Sequence, residues 1–502
     1  MLITILVYLA AMVGIGAVLA KQNQTTDDFY LGGRTLGPLV TAMSAEASDM
    51  SSWLLMGLPG VAYLSGTADA TWTAIGLAIG TYVNWLVVAK RLRNYTHVCG
   101  NSTTLPLFFS NRYRDNKRIL SVIAALLIII FFVPYTASGF AACGKLFANL
   151  FGMDYLPAML ISAIVIVAYT TLGGFLAAST TDFVQSIVMT IAIVVVFGFG
   201  ISKVGSFSAV MDNAKSMAGY FSLTHTHDVA TGTASPYSLL QIFSTLAWGL
   251  GYFGMPHVLL RFMAIGDANK LKLSRRVATV WVVISMAVSV FIGVIGNAMT
   301  KAGVLPTLKD PETIILVVSD LISKHGVLAT IIAGLILAGI LAATMSTADS
   351  QLLAASSSAS QNILKEVFMK DMSEKTGMLI ARITVLVIAL IGVFIARNPD
   401  SSVFQIVSFA WAGFGASFGP LVLLALFWKR STFQGALCGM ISGGVMVFVW
   451  KFLIRPMGGA LGIYELLPAF LLGLAVNVIV SLLTPAPSRE VQDEFDKVAS
   501  MK

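Results

Sequence analysis

Long apolar runs alternate with short polar segments along nearly the whole chain. Runs of about 17 to 25 apolar residues can cross the hydrocarbon core of a bilayer as an α-helix. Gly, Pro and charged residues divide the chain into about thirteen such predicted spans. The spans cover residues 2–20, 36–64, 70–89, 119–144, 155–176, 180–202, 236–262, 277–300, 328–357, 378–396, 402–428, 432–454 and 463–484. The pattern therefore predicts an all-α polytopic membrane protein.

The composition agrees with this class. Hydrophobic residues make up 57% of the 502 residues and charged residues 11%, far from the balance of a soluble domain. No long polar region separates the runs, so one transmembrane domain over 1–502 is expected. The first run has no basic residues before it, which predicts a retained span and not a signal peptide. The three cysteines are far apart, so we expect neither a disulfide framework nor a metal cluster.

Basic residues predict the orientation in the membrane. Lys and Arg cluster near residues 21–34, 90–118, 270–276, 365–375 and 429–430, and thirteen spans would put all five clusters on one side. Basic loops are usually cytoplasmic. The N-terminus is then outside and the C-terminal tail inside. The Ser/Thr-rich loop 203–235 is expected outside, and the amphipathic segment 311–323 is expected to form a helix on the outer surface.

Two of the predicted spans contain helix-breaking or polar residues. Glu46 and Asp49 lie among serines in the middle of the second span, and a Gly-Leu-Pro-Gly sequence follows at 57–60. The seventh span has three glycines and a proline within residues 248–257, a poor sequence for an uninterrupted helix. A polar patch joining two helices is one interpretation of the first segment, and close helix packing is one of the second.

The pairing of the two interruptions favours another interpretation. They are five spans apart, and an odd offset gives them opposite directions in the membrane. Interrupted spans at matching positions of two inverted halves are typical of secondary transporters, which bind ion and solute where those helices unwind.

The ninth span offers oxygen ligands for a cation. Positions 343, 346, 347 and 350 fall on one helical face, and a hydroxyl there can also bond a carbonyl one turn earlier in its own helix. Hard monovalent cations prefer the oxygens of carbonyls and hydroxyls, which the unwound second span and this face would supply together. The candidate ligands are Ala47, Met50, Ala343, Ser346 and Thr347.

Six motifs resemble the sodium/solute symporter family, in the order in which that family has them. They are Leu31-Gly-Gly-Arg34 with Leu36-Gly-Pro38, Ala47-Ser-Asp-Met-Ser51 with Trp53-Leu-Leu-Met-Gly-Leu-Pro-Gly60, Gly173-Gly-Phe-Leu176, Trp248-Gly-Leu-Gly-Tyr-Phe-Gly254 with Pro256-His257, Met345-Ser-Thr347, and Ala410-Trp-Ala-Gly-Phe-Gly415. The resemblance spans nearly the whole chain and is closest to the members that carry proline. It implies import of L-proline driven by the sodium gradient in a bacterial plasma membrane. No enzymatic activity, no cofactor beyond the sodium ion, no nucleic acid and no obligate protein partner are expected.

The resemblance also implies the leucine-transporter-like fold and its division along the chain. Two inverted five-helix repeats would occupy 36–202 and 236–428, after an extra helix and loop at 1–35. Two C-terminal helices at 429–486 and a cytoplasmic tail at 487–502 would complete the chain.

The resemblance assigns roles to individual residues. It implies sodium at the five candidate ligands named above, and a coupling role for Asp49 and Arg34. The residues implied to contact the solute are Ser51, Ser52, Trp248, Tyr252 and Pro256. Ser52 and Met255 depart from the pattern of the proline carriers, which leaves another small carboxylate or amino acid open as the solute. Glu46 also departs from the pattern, and the sequence suggests no role for it.

Two further carboxylates lie within predicted spans. Asp182 is just inside the sixth span, where it can cap a helix. Asp349 lies deeper in the ninth, where an uncompensated carboxylate costs several kcal/mol. Some relatives hold a second sodium at matching positions. We therefore hypothesise that Asp182, Ser346, Asp349 and Ser350 bind a second cation or a proton.

Overall fold

The computed structural model describes residues 1–21, 25–368, 373–398 and 402–501, and residues 369–372 of one predicted basic loop lie outside these ranges. In the first half the helices are α1 Leu2–Ala20, α2 Thr26–Leu31, α3 Pro38–Ser52, α4 Leu58–Ser65, α5 Thr67–Val83, α6 Ala89–Val98, α7 Leu105–Arg112, α8 Ile119–Phe151, α9 Tyr155–Val204 and α10 Phe207–Ser216. A 3₁₀ turn Gly32–Arg34 precedes α3, and π-helical turns Trp53–Gly57 and Asn84–Val88 follow α3 and α5.

The second half begins with a short antiparallel hairpin, β1 His225–His227 and β2 Ala234–Pro236. Its helices are α11 Leu239–Leu246, α12 Pro256–Ala264, α13 Leu271–Lys301, α14 Ile314–Ser323, α15 Val327–Ser357, α16 Glu374–Ala396, α17 Val403–Phe427, α18 Phe433–Val449, α19 Leu466–Leu483 and α20 Arg489–Ser500. The 3₁₀ segments are Ala247–Phe253, Ala268–Lys270, Pro311–Thr313, Arg455–Met457 and Gly459–Leu461, and π-helical turns cover Ser358–Phe368 and Trp450–Ile454.

Ten helices in the described part of the chain are long and apolar enough to cross a bilayer. They correspond to ten of the predicted spans. The other three predictions, 36–64, 155–176 and 236–262, fall on helices that are interrupted or whose apolar part is shorter. The count of thirteen spans therefore stays a prediction.

The break inside α9 separates the fifth and sixth predicted spans. The helix runs over 50 residues, but Gly174 has φ 65° and ψ −174°. This region of backbone space is essentially restricted to glycine. One continuous element in the chain is thus two helical segments, which meet at a residue without a side chain.

The segments expected outside the membrane are more ordered than the sequence suggested. The helix predicted at 311–323 forms as a 3₁₀ turn followed by α14, and its apolar side, with Ile314 and Val318, is buried in the protein. The predicted loop 203–235 contains α10 and the hairpin. Within it, the buried Tyr220 donates a hydrogen bond to the carbonyl of Ala62 at 2.7 Å. Hydrogen bonds to the main chain of a neighbouring helix hold this region in place.

The predicted C-terminal tail forms a docked helix, α20. Its apolar side buries Phe495 against Tyr95, with ring centres 6.4 Å apart. Glu494 pairs with Arg114 at 2.8 Å, and Asp496 pairs with Lys429. Amphipathic spacing and opposite charges explain why the helix packs against the basic end of the bundle.

Candidate functional site

The first predicted interruption is present, at the end of α3. Ser51 has φ 52° and ψ −171°, which takes the backbone out of the helix. A non-glycine residue in this region costs about 1–3 kcal/mol and often marks a functional site. The Ser51 hydroxyl accepts a hydrogen bond from the Trp53 N–H at 3.0 Å, and the π-helical turn follows. Helix and turn therefore meet two residues after Asp49.

The second interruption is a 3₁₀ segment, Ala247–Phe253, after which the α-helix resumes at Pro256. Proline suits a first helical position because its missing N–H would have no partner there. Gly249 packs directly on the backbone of Gly76 and Gly80 in α5, where a Cβ would collide. Both explanations of the glycines hold: the helix is interrupted, and it packs closely against its neighbour.

The two interruptions contact each other through Asp49. The Tyr252 hydroxyl donates a hydrogen bond to Oδ2 of Asp49 at 2.6 Å, and the Tyr135 hydroxyl donates to the carbonyl of Asp49 at 3.1 Å. Asp49 is 5% exposed, and its Oδ1 has no hydrogen-bond partner among the described residues. A buried carboxylate oxygen without a donor is an acceptor for an ion or a polar solute group.

Aromatic rings line the region beside the two interruptions. Trp248 lies 5.6 Å from Trp53, 5.5 Å from Phe404 and 5.1 Å from Tyr464 between ring centres. We call Trp53, Trp248, Phe404 and Tyr464 the aromatic wall. Trp411 supports it by donating its indole N–H to the Trp248 carbonyl at 2.7 Å. Such a wall offers flat apolar faces to a small ring-bearing solute.

The structure brings four of the five candidate sodium ligands together. The Ser346 hydroxyl on α15 donates to the carbonyl of Ala47 on α3 at 2.9 Å, and lies 3.2 Å from the carbonyl of Ala343. The Thr347 hydroxyl donates to the same Ala343 carbonyl at 3.1 Å. The carbonyl of Met50 accepts from the N–H of Trp53. The hydroxyls of Ser346 and Thr347 thus bond a carbonyl of their own helix, and Ser346 also connects α15 to α3. Both arrangements considered from the sequence are present. Neutral oxygens of this kind fit a sodium ion.

The carboxylates of the hypothesised second cation site surround a residue that sequence reasoning missed. Arg261 on α12 is 1% exposed, and its guanidinium lies 3.1 Å from Asp182. It also donates to Ser44 at 3.0 Å and to Ser350 at 2.5 Å. Ser350 in turn lies 3.2 Å from a carboxylate oxygen of Asp349. A cation belonging to the protein therefore already occupies this cluster.

The sequence contained a signal for Arg261. Arg261 lies five positions after the proline of the interrupted seventh span. Ionisable residues within a membrane span are rare and indicate a buried partner. Asp182 also accepts from the Ser44 hydroxyl at 2.7 Å. This carboxylate joins three helices inside the protein, whereas the sequence also allowed it to be a helix cap at the end of a span.

Glu46, for which the sequence suggested no role, lies beside the same region. It is 1% exposed, and its Oε1 accepts from the indole N–H of Trp85 at 2.9 Å. Its Oε2 has no partner in the described ranges. The neighbouring Asn84 donates to the carbonyl of Tyr252 at 3.1 Å. The π-helical turn after α5 directs the side chains of Asn84 and Trp85 into the protein. Residue spacing alone does not predict such a turn.

Arg34 connects the ends of helices away from the interruptions. Its guanidinium donates to the carbonyls of Met263 at 2.6 Å and Ser102 at 2.7 Å. Burial lowers the pKa of Arg34 to about 10, and nearby Arg93 acts in the same direction. The group stays charged at neutral pH and links the end of α12 to the loop after α6.

The profile of the sodium:solute symporter family matches residues 29–443. The chain belongs to this family. Family members that resemble it over nearly their whole length include the osmoregulated proline transporter OpuE of Bacillus subtilis, 40% identical over 97% of this chain and 96% of that protein. The sodium/proline symporter of Escherichia coli is 41% identical over 99% of this chain and 95% of that protein.

Solved structures of sodium-coupled and related transporters share the fold. An outward-open Na⁺-coupled sialic acid symporter superposes with a TM-score of 0.78 at 19% identity, covering 97% of this chain and 98% of its own. MhsT in complex with L-phenylalanine gives a TM-score of 0.55 at 12% identity, covering 89% and 99%. The predicted leucine-transporter-like fold is confirmed. The chain is therefore a multi-pass member of a family of transporters, whereas the repeat boundaries stay a prediction.

Proposed function

We propose that this sodium:solute symporter imports L-proline by alternating access in a bacterial plasma membrane, with its N-terminus outside and its C-terminus in the cytoplasm. The observation that carries the proposal is the bridge from Ser346 on α15 to the carbonyl of Ala47 on α3. Relatives that are about 40% identical over nearly the whole chain are named sodium/proline symporters, which supports proline as the solute.

Sodium would bind to the carbonyls and hydroxyls of the five ligands named in the sequence analysis. Because these oxygens come from α3 and α15, an ion between them favours the conformations in which the two helices are close. A ligand shifts a conformational equilibrium only by its differential affinity for the two states, and sodium would supply that difference. An inside-negative potential of about 100 mV adds about 2.3 kcal/mol per charge moved.

Proline combines a carboxylate, a cationic nitrogen and an apolar ring. The carboxylate suits the sodium ion or a half-helix N-terminus after the interruption, where Ser51 lies. The ring suits the faces of Trp248 and Tyr252, next to Pro256. Asp49 would couple ion and solute, because its Oδ2 bonds Tyr252 of the 3₁₀ segment while its Oδ1 has no partner among the described residues. Arg34 donates to the carbonyl of Met263, near the end of α12, and would transmit the conformational change to that end of the helix.

A different small carboxylate or amino acid is the second candidate solute. The hydroxyl of Ser52 is buried and has no hydrogen-bond partner in the part of the chain that is described. It can therefore form a hydrogen bond with an additional polar group on a solute other than proline. Met255 is fully buried just before Pro256, where it shapes the space available to that group.

The number of coupling cations is a separate hypothesis. We keep the cluster of Asp182, Ser346, Asp349 and Ser350 as a candidate second cation or proton site. Arg261 already supplies one positive charge there, so a second mobile cation would have to share the carboxylates with it. One sodium per cycle is the simpler expectation.

The experiment is uptake of labelled proline into proteoliposomes with and without an inward sodium gradient. Thr347→Ala removes a candidate ligand. Thr344→Ala on the same helix is the matched control, because its hydroxyl bonds the carbonyl of Ile340, at 2.9 Å, and is not one of the candidate ligands. We expect sodium-driven uptake in the wild type and in Thr344→Ala, and a loss of at least about tenfold in Thr347→Ala, the effect of one strong ligand interaction.

Each other outcome contradicts one part of the proposal. Uptake that ignores sodium would refute the coupling. Equal loss in both variants would refute the assignment of Thr347. Sodium binding without proline uptake would exclude proline and lead to a screen of other small carboxylates.

A further inference from the structure

A groove of about 490 Å³ opens between α9 and α13 on the outside of the helix bundle. Its walls include Val194, Val280 and Ile284, which are 53%, 60% and 53% exposed in the protein alone. Residues 276, 280 and 284 follow one face of α13 at intervals of four. The groove therefore runs along the helix for about 12 Å, since each residue of a helix advances 1.5 Å.

The floor of the groove is apolar and closed. The indole N–H of Trp281 donates to the Thr190 hydroxyl at 2.8 Å, so these polar groups satisfy each other. Met43 of α3, only 8% exposed, reaches the groove from behind. No lining residue in the described part of the chain is acidic. An apolar groove along a membrane-spanning helix suits the acyl chain of a lipid.

The mouth of the groove carries a positive charge. Arg276 lines it and is exposed, and no hydrogen bond or ion pair occupies its guanidinium within the described ranges. The adjacent Arg275 is directed elsewhere, 5.4 Å over the ring of Tyr82. Lys270 and Lys272 lie at the same end of α13, on the side that basic residues predict to be cytoplasmic. Basic pockets between transmembrane helices on that side bind anionic lipid head groups.

We propose that this groove binds an anionic phospholipid, with its phosphate at Arg276 and one acyl chain along Val280 and Ile284. Head group and tail both find a matching surface: Arg276 is at one end, and the apolar groove extends from it along α13. A zwitterionic lipid would fill the groove but would be attracted less strongly to Arg276. A soluble phosphate would contact Arg276 but leave the groove empty.

The site also adjoins the transport machinery. Met43 immediately precedes Ser44, whose hydroxyl donates to Asp182 at 2.7 Å. An acyl chain against Met43 would therefore contact α3 one residue before the side chain that bonds Asp182. This consequence for uptake rests on the proposed function, whereas lipid binding itself does not.

Lipid binding is tested on the purified full-length protein by native mass spectrometry, with phosphatidylglycerol and phosphatidylcholine as probes. Arg276→Gln removes the charge at the mouth, and Arg275→Gln removes the neighbouring charge outside the groove. We expect phosphatidylglycerol to bind Arg276→Gln about fivefold more weakly than wild type, the value of one basic residue near an anionic head group. Arg275→Gln should bind as wild type does.

Three results would overturn the proposal. Equal weakening by both substitutions would show a general charge effect, and equal binding of both lipids would show no head-group selection. Displacement of the lipid by excess glycerol phosphate would show a phosphate site without a role for the groove.

Uptake in proteoliposomes tests the functional consequence. Adding phosphatidylglycerol to phosphatidylcholine vesicles should speed sodium-driven uptake in wild type and Arg275→Gln but not in Arg276→Gln. A failure of proline uptake in every vesicle would refute the proposed solute and leave the lipid-binding result standing. Lipid-dependent uptake that is unchanged in Arg276→Gln would refute the functional part of this inference.

Discussion

Replacing Arg261 by Gln should destabilise the protein more than any nearby polar substitution. The guanidinium is 1% exposed and is the cation paired with Asp182, which is fully buried. Within the described residues, the substitution leaves this carboxylate with the Ser44 hydroxyl as its remaining donor. It also removes the positive charge from the cluster to which Asp349 is joined through Ser350.

The expected loss follows from the burial of the pair. Removing one partner of a buried ion pair typically costs about 3–5 kcal/mol, because the other charge stays buried and unpaired. The amide of Gln can restore one of the hydrogen bonds, so we expect the lower end, about 3 kcal/mol. That loss corresponds to more than a hundredfold change in the ratio of folded to unfolded protein, at about 1.4 kcal/mol per factor of ten.

The assay is a double-mutant cycle on purified protein, read as thermal unfolding with and without sodium. Asp182→Asn neutralises the carboxylate, and the double variant Asp182→Asn with Arg261→Gln contains neither charge. We expect the double variant to be more stable than the sum of the single losses predicts, by at least about 1.5 kcal/mol. If Asp182 and Asp349 can bind sodium in place of the guanidinium, sodium should stabilise Arg261→Gln more than wild type.

Two results would refute this reasoning. Arg261→Gln within about 0.5 kcal/mol of wild type would mean that the pair contributes little. Additive losses in the cycle would mean that Asp182 and Arg261 do not interact in the folded protein. An unchanged response to sodium in Arg261→Gln would contradict the hypothesis of a second cation site.

Two further pairs of substitutions have matched controls, and both are read by thermal unfolding. Gly174→Ala should cost about 1–3 kcal/mol, because its φ of 65° and ψ of −174° disfavour a side chain. Gly198→Ala in the same helix meets no atom within 4 Å and should be neutral or stabilising by up to about 1 kcal/mol; equal effects would contradict the conformational argument. Glu312→Gln should cost about 2–3 kcal/mol, because this carboxylate accepts from Lys145 at 3.0 Å and from backbone N–H groups at the start of α17. Asp320→Asn, in an exposed ion pair, should change stability by less than about 0.5 kcal/mol, and a loss as large as that of Glu312→Gln would show that burial is not the cause.

Periodicity and composition were enough to predict the class of protein and most of its helices. Ten apolar runs appear as membrane-length helices because a helix that crosses a bilayer must satisfy its own backbone, and its side chains must be apolar over that length. The interruption near Asp49 and the one at residues 248–256 were also predictable. Glycine, proline and polar residues are costly in a spanning helix, so their presence there has few explanations.

The side-chain pairings needed the folded chain. Asp49 with Tyr252, Glu46 with Trp85 and Asp182 with Arg261 join residues 203, 39 and 79 positions apart, and no local spacing encodes such distances. The same holds for the docking of α20, which the sequence presented as a tail.

The candidate ion site shows where the two kinds of information divide. The sequence placed the hydroxyls of Ser346 and Thr347 on one helical face, because the rise and turn of a helix are local properties. Whether that face met the carbonyl of Ala47 depended on how α15 packs against α3, and packing is decided by contacts along the whole length of both helices. Local chemistry therefore determined which groups were available, and tertiary packing determined which of them meet.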